Sequence, residues 1–300
     1  MRRIILIIFV FFALMLTSIS QASIVMEGNY IYTQISDNGT LGDRFNFPGI
    51  QYDPEGGGNF PGVGGKDFFV TVAATAYEGF FIEFNGTLMG NANDFSYYAT
   101  PISGTLEDLS ETSPYDFYVR WESSDDYLVD IIIDTYFNEN DEYIMFTTSI
   151  TANDDITGVK FLRTILPNPD YNDYKIFYTI NKKGYSPIIS PEDWVSASGP
   201  ETGWTIGLYS NSPLTHNTGI VSSIDPDDYL SGTNEGDGWY RIGIAFDLGD
   251  LNKGETVTFS YAYVLGESLE DAVNNIPIPE PNTLFLFSSA LIGFAIRRRS

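Results

Sequence analysis

The sequence predicts an all-β protein, a large antiparallel β-sandwich of roughly 13 to 15 strands with one short C-terminal helix. Three observations predict it. Apolar and polar residues alternate at period two over much of the chain, which puts one strand face in a core and the other in water. Clusters of Gly, Asn, Asp and Pro separate these runs, as turns separate strands. The 300 residues also include 20 Tyr and 22 Phe, aromatics that suit strands.

In chain order, the first element lies outside the sandwich. Arg2 and Arg3 precede an apolar run from Ile4 to Leu16 and a polar stretch ending in small residues. This order is that of a secretory signal helix, cleaved by signal peptidase between Ala22 and Ser23. As a helix the run would rise about 20 Å, short of the roughly 30 Å hydrocarbon core, which argues against a permanent span. Residues 23–55 are too few for a stable core of their own. The Gly-rich stretch from Gly56 to Gly65 therefore reads as a long surface loop within one extracellular domain, residues 23–275.

The strands follow. Phe68, Val70 and Val72 pair with Phe80, Ile82 and Phe84 as an early couple. Val129, Ile131, Ile133, Thr135 and Phe137 share one face of a strand, with Asp130 and Asp134 on the other. The same phase recurs from Ile144 to Ile150, from Ile242 to Leu248 and from Val257 to Tyr263. Trp204, Ile206 and Leu208 add another strand, with Trp204 on its core face. Acidic turns join them, at Asn138 to Glu142 and Asn153 to Gly158, because Asp and Asn side chains bond nearby backbone groups. One helix is expected, over Leu269 to Asn275, capped by Ser268 with Asp271 three residues on, and stopped before Pro277.

The last segment, residues 276–300, has three parts in order. Pro279, Glu280 and Pro281 keep the chain extended; an apolar helix of about 283–296 follows; Arg297, Arg298 and Arg299 close it. Arginines at that end keep the rest of the chain on the non-cytoplasmic side. These residues resemble the PEP-CTERM sorting signal of Gram-negative bacteria. The resemblance implies recognition by an exosortase, a membrane cysteine protease-transpeptidase that cuts near Pro-Glu-Pro. It also implies transient inner-membrane association, then release or transfer to the outer surface in species that make exopolysaccharide. The body resembles β-sandwich modules of secreted bacterial surface proteins, through Phe161 to Asp170, Ser196 to Pro200, Gly203 to Gly207 and Phe246 to Glu255. Those modules often carry Asp-Pro-Asp where this chain has Leu166, Pro167 and Asn168.

Composition excludes several classes. With 40 Asp plus Glu against 15 Lys plus Arg, the net charge of −25 excludes the basic face that nucleic-acid binding needs. Zero Cys excludes disulfide scaffolds, thiolate zinc sites and a Cys nucleophile, and a single His excludes multi-His metal centres. Gly56 to Lys66 fails the phosphate-loop pattern, with Phe60 where Gly is required and Asp67 where Ser or Thr is required. His216 lies in a polar stretch read as an exposed turn, and no Gly-x-Ser-x-Gly elbow exists to supply a nucleophile.

Two weaker site readings remain. Acidic loops at Asp225, Asp227 and Asp228, at Asp154 and Asp155, and at Asp170 with Asp173 offer oxygens for Ca²⁺, although none follows the EF-hand spacing. Trp239, after the loop Asn234 to Gly238, is the tryptophan best placed to stack on a sugar. The expected function is therefore that of an exported, exosortase-processed structural or adhesive protein linked to the exopolysaccharide matrix, not an enzyme. The alternative is a carbohydrate-active enzyme or polysaccharide-binding module on the same scaffold, since a sandwich hosts either.

Overall fold

The computed structural model describes residues 23–42, 49–60, 77–93, 99–124 and 127–277. Sixteen strands occur among them. The first three are β1 (Ile24–Glu27), β2 (Ile31–Ile35) and β3 (Ile50–Tyr52). Next come β4 (Tyr77–Phe84), β5 (Thr87–Ala92), β6 (Gly104–Asp108), β7 (Phe117–Ser123), β8 (Val129–Phe137), β9 (Tyr143–Ala152) and β10 (Ile156–Leu166). The last six are β11 (Ile180–Lys183), β12 (Trp194–Ser198), β13 (Thr205–Tyr209), β14 (His216–Val221), β15 (Arg241–Leu251) and β16 (Thr256–Gly266). They form three sheets with orders β1-β2-β3, β14-β15-β10-β4-β5 and β11-β12-β13-β16-β9-β8-β7-β6. Every strand pair is antiparallel.

The period-two pattern explains how the sheets face one another. Phe80 on β4, Phe161 on β10 and Phe246 on β15 point from the five-stranded sheet into the same core as Phe146, Phe259 and Tyr261 of the eight-stranded sheet. Ring centroids of Phe246 and Phe259 lie 4.3 Å apart, and those of Phe161 and Phe259 5.2 Å apart. Burying each such ring contributes about 1.5–3 kcal/mol. The small sheet adds Met26, Ile31, Ile50 and Tyr52 to that core, so residues 23–55 are stabilised by the sandwich and not by themselves.

One polar pair interrupts the aromatic interior. Glu78 on β4 and Arg163 on β10 are fully buried, with Nε of Arg163 2.5 Å from the Glu78 carboxylate. Glu78 also accepts from the Leu41 amide at 2.7 Å and from the Tyr263 hydroxyl at 3.0 Å. The Arg163 guanidinium lies over the Phe146 ring, 4.5 Å from its centroid. The pair therefore links both large sheets and the β2–β3 connection.

The helix content differs from expectation. The helix after Ser268 is present as Leu269–Asn274, with the Ser268 hydroxyl accepting from the Asp271 amide at 3.2 Å. Two further single-turn helices occur, at Tyr171–Tyr174 and Pro226–Leu230. In chain order these three are α1, α2 and α3. The signal for α2 was present in the sequence, since Asp225 caps it and Pro226 sits at its first position, where the missing amide is harmless. Its Tyr229 is fully buried on the outer face of the five-stranded sheet. Gly219 and Gly243 face each other across β14 and β15, and a methyl on either would press into the Tyr229 ring.

The proposed strand at Phe68 to Val72, the Gly-rich loop from residue 61 through Lys66, the signal helix with Ala22, and the sorting segment from residue 278 lie outside the described residues. Among the described residues no helix is long and apolar enough to cross a membrane.

Candidate functional site

Two neighbouring features of the sandwich carry chemistry. The first is a cavity of about 500 Å³ at the rim, where edge strand β14 meets the loop before β12. Its acids are Glu192, Asp193 and Asp247; Leu214 and Leu230 give it an apolar side. His216 and Asn217, the first residues of β14, form another wall.

His216 corrects the sequence reading. It opens a strand and does not lie in an exposed turn, because the stretch 216–221 pairs with β15, placing His216 opposite Phe246. Its ring stacks on Phe246 at 5.4 Å, and its side chain is 8% exposed. Nε2 is 3.1 Å from Asp193 Oδ1, and Nδ1 is 2.7 Å from the Leu214 carbonyl. Both ring nitrogens thus face acceptors, so the imidazole holds Asp193 and the 214–216 backbone in place. Asn217 is also engaged, donating to the Leu230 carbonyl at 3.0 Å and accepting from Lys183 Nζ at 3.3 Å. Burial lowers the Lys183 pKa, while Glu192 opposes that shift.

The second feature is an aromatic platform. Trp121 and Trp194 are buried, and Trp204 is half-buried with its edge to Tyr52. Trp239 is 47% exposed. Its ring centroid lies 5.6 Å from Phe177, which in turn lies 4.4 Å from Tyr171 on α1. Tyr174 and Tyr178 of the same segment are also exposed. Sequence spacing could not place residues 171–178 beside Trp239. The contact arises because Thr179, just before β11, bridges to Gly238. Lys183 at the other end of β11 bonds Asn217 of the cavity wall, and strand rise puts Thr179 and Lys183 about 13 Å apart. Another aromatic group, Tyr115, Tyr118 and Tyr136, is half-buried, with Tyr118 stacked on both neighbours and Tyr115 tilted against Tyr136 at 4.3 Å. Burial, helped by a hydrogen bond to Asp134, pushes the Tyr118 hydroxyl up to about 12.

The acidic candidates separate. Asp225 and Asp227 come together with Glu83 of β4, which sequence reasoning missed, and these form the one group of three acids close enough to share a cation among the described residues. Lys160 lies between them, 2.7 Å from Asp227 and 3.3 Å from Glu83. Asp228 stands outside that group. Asp154 accepts from the amide of Asp155, and Asp155 from the amide of Lys253, bracing two turns. Asp170 is fully buried and bonds the amide of Glu201 at 2.7 Å and the hydroxyl of Thr202 at 2.5 Å. Asp170 and Asp173 belong to no group of three acids close enough to share a cation among the described residues. Ser23 begins the described chain just ahead of β1.

The fold and rim define an acidic β-sandwich with a polar cavity beside an aromatic platform. The chain carries a PEP-CTERM protein-sorting motif at residues 277–299. Comparison with curated proteins finds no match. Among solved structures, a bacterial glucoamylase in complex with acarbose is similar over 84% of this chain and 33% of that one, with 13% identity and a TM-score of 0.52. The chain thus spans about a third of that enzyme's length. An aldose epimerase homologue from C. elegans gives 10% identity, 82% and 100% coverage, and a TM-score of 0.43. A heparan sulfate lyase from Pedobacter heparinus gives 8% identity, 83% and 37% coverage, and a TM-score of 0.42. The glucoamylase likeness shows a shared sandwich fold.

Proposed function

We propose that the protein is an exported, exosortase-processed component of the cell envelope or exopolysaccharide matrix, adhesive and non-enzymatic, which holds polysaccharide on the platform around Trp239. The observation that carries this reading is the sorting motif at residues 277–299. In this reading signal peptidase cuts between Ala22 and Ser23. The apolar helix of about 283–296 then holds the chain in the inner membrane, with Arg297 to Arg299 inside. Exosortase cuts near Pro279, Glu280 and Pro281, and the body passes to the outer surface. An exposed contiguous aromatic patch on a secreted protein supports a binding role, because isolated domains rarely leave one uncovered. The rim pair His216–Asp193 is the feature an enzymatic reading would use. Its two ring nitrogens are occupied by protein acceptors, which supports a positioning role over proton transfer.

The test has two parts. Intact mass in strains with and without exosortase should show loss of Arg297 to Arg299 only when exosortase is present; retention in both strains sinks the sorting claim. Trp239→Ala should weaken co-sedimentation with the producer's polysaccharide at least tenfold while leaving the melting temperature unchanged. A reducing-end assay on the same polysaccharide should read no new ends, and release of ends would make the protein an enzyme.

The reading needs no cofactor. Lys160 supplies positive charge to the Glu83, Asp225 and Asp227 group, where Ca²⁺ would otherwise be the candidate. Melting in millimolar Ca²⁺ and in chelator should therefore coincide. A rise of several degrees with Ca²⁺ would assign the protein a structural metal.

A further inference from the structure

We infer that the rim cavity beside His216 is a separate subsite that holds one uncharged pyranose residue of a polysaccharide. This rests on the reading that the body meets polysaccharide, but on different residues from the Trp239 platform. The cavity, of about 500 Å³, falls within the roughly 300–1,000 Å³ of ordinary ligand pockets. Its wall is of two kinds. Leu214 and Leu230 give it apolar surface, whereas Glu192, Asp193 and Asp247 contribute carboxylates. A pyranose has the matching halves, an apolar C–H face and a rim of hydroxyl donors.

The hydrogen-bond inventory decides what kind of sugar fits. Asp193 gives Oδ1 to His216, and Asp247 gives Oδ1 to the Gly249 amide, so each carboxylate keeps a second oxygen as an acceptor. The Asn217 amide is committed to Leu230, Lys183 and the Thr218 amide. The wall is therefore rich in acceptors and needs donors from its occupant. Sugar hydroxyls supply them, and hydrogen bonds to charged acceptors are the stronger kind. A uronate residue would bring a fourth carboxylate among three. Of the cationic side chains, Lys183 stands behind Asn217 and is bonded to it and to the Gly232 carbonyl. Like-charge repulsion thus selects against acidic sugars.

His216 makes the test specific, because it is the one histidine in the chain and it lines the cavity. The experiment follows the His216 ring resonances by NMR in the processed protein. The probes are short neutral glucan, galactan and mannan oligosaccharides and a polygalacturonate oligosaccharide of equal length. At least one neutral oligosaccharide should shift the ring signals saturably, in the parent and in Trp239→Ala alike. Glu192→Gln and Asp247→Asn should raise the apparent Kd at least tenfold with an unchanged melting temperature; both residues are exposed, so folding is not at stake. Polygalacturonate should leave the signals in place. The inference is overturned if no neutral oligosaccharide moves the His216 signals, if the uronate moves them equally, or if neither variant weakens binding. Loss of polysaccharide binding in Trp239→Ala with unmoved His216 signals in the parent would keep the platform and remove the subsite.

Discussion

At the scale of single residues, the buried Glu78–Arg163 pair is the sharpest departure from an oily interior. Burial opposes both charges, and each partner supports the other; the charge of Glu78 holds Arg163 above its usual range. Removing one partner from such a pair costs about 3–5 kcal/mol, because the other charge stays buried alone. Arg163→Met should therefore lose stability of that order in denaturant unfolding. The double variant with Glu78→Met should be more stable than Arg163→Met alone, since it leaves no orphaned charge. Simple additivity of the two losses would show that the residues do not act as a pair. The positions were legible in part. Glu78 falls in phase with Phe80 and Ile82, and Arg163 with Phe161 and Ile165, so alternation put both in the core. Only the pairing of β4 with β10, Arg163 being opposite Phe80 in the register, brought them together.

Among elements, two of the segments that resemble secreted modules form one clasp. Asp170, at the end of the stretch from Phe161, reaches the turn after β12 and bonds Glu201 and Thr202 there. Gly199 lies against that carboxylate, and a methyl at this position would collide with it. Gly199→Ala should displace Asp170 and lower stability by about 1–3 kcal/mol, the usual range for overpacking. An unfolding midpoint equal to the parent's would show that the clasp is dispensable. The sequence showed Asp170 as an acid in a loop and suggested a metal ligand. Its partners lie 31 and 32 positions away, a separation no local pattern reports. The β9–β16 neighbours were easier to foresee as strands than as partners. Their outer faces pair Thr147 with Ser260, Ser149 with Thr258 and Thr151 with Thr256 at 2.8–3.0 Å, cross-strand contacts fixed by register.

Across the whole molecule, one acidic junction ties the first sheet to the last helix. Tyr52 of β3 donates to Glu142 in the β8–β9 turn, close to Glu267 and to Asp271 of α3. Burial raises the Glu142 pKa, the Tyr52 hydrogen bond pulls it back, and repulsion from Asp271 and Glu267 raises it further, with a net shift upward. An acid with a raised folded pKa ionises first in the unfolded chain. Its neutral form favours folding, and that contribution is lost as pH rises from the ordinary Glu range, near 4.3, through the folded value. Glu142→Gln should match the parent below about pH 4 and melt higher at pH 7, by about 2 °C given that the group is half-exposed. A difference that does not change with pH would remove Glu142 from the account. The helix at this junction packs Ala272 against Gly266 of β16, Asn275 donates to the Leu265 carbonyl and Ile276 packs beside them, so the chain is fastened to the body up to the residue before the sorting motif.

The sequence by itself determined the strand faces, the capped last helix and the sorting segment, because each depends on residues within one or two turns or strands of one another. Val129 to Phe137 became β8 at those bounds, and Ser268 became the cap of α3. It also sets the charge: in the proposed processing, loss of the five arginines at the two ends leaves 40 acids facing 10 bases, a net −30 that favours solubility and repels acidic polymers. Tertiary structure alone decided the sites. His216 became a wall of a cavity because β14 lies at a sheet edge against the loop before β12, and Trp239 met Phe177 because β11 brought distant segments together. Glu83 joined Asp225 and Asp227 with a lysine already between them. Such groupings come from strand order and register, which join residues far apart in the chain and leave no local periodicity to read.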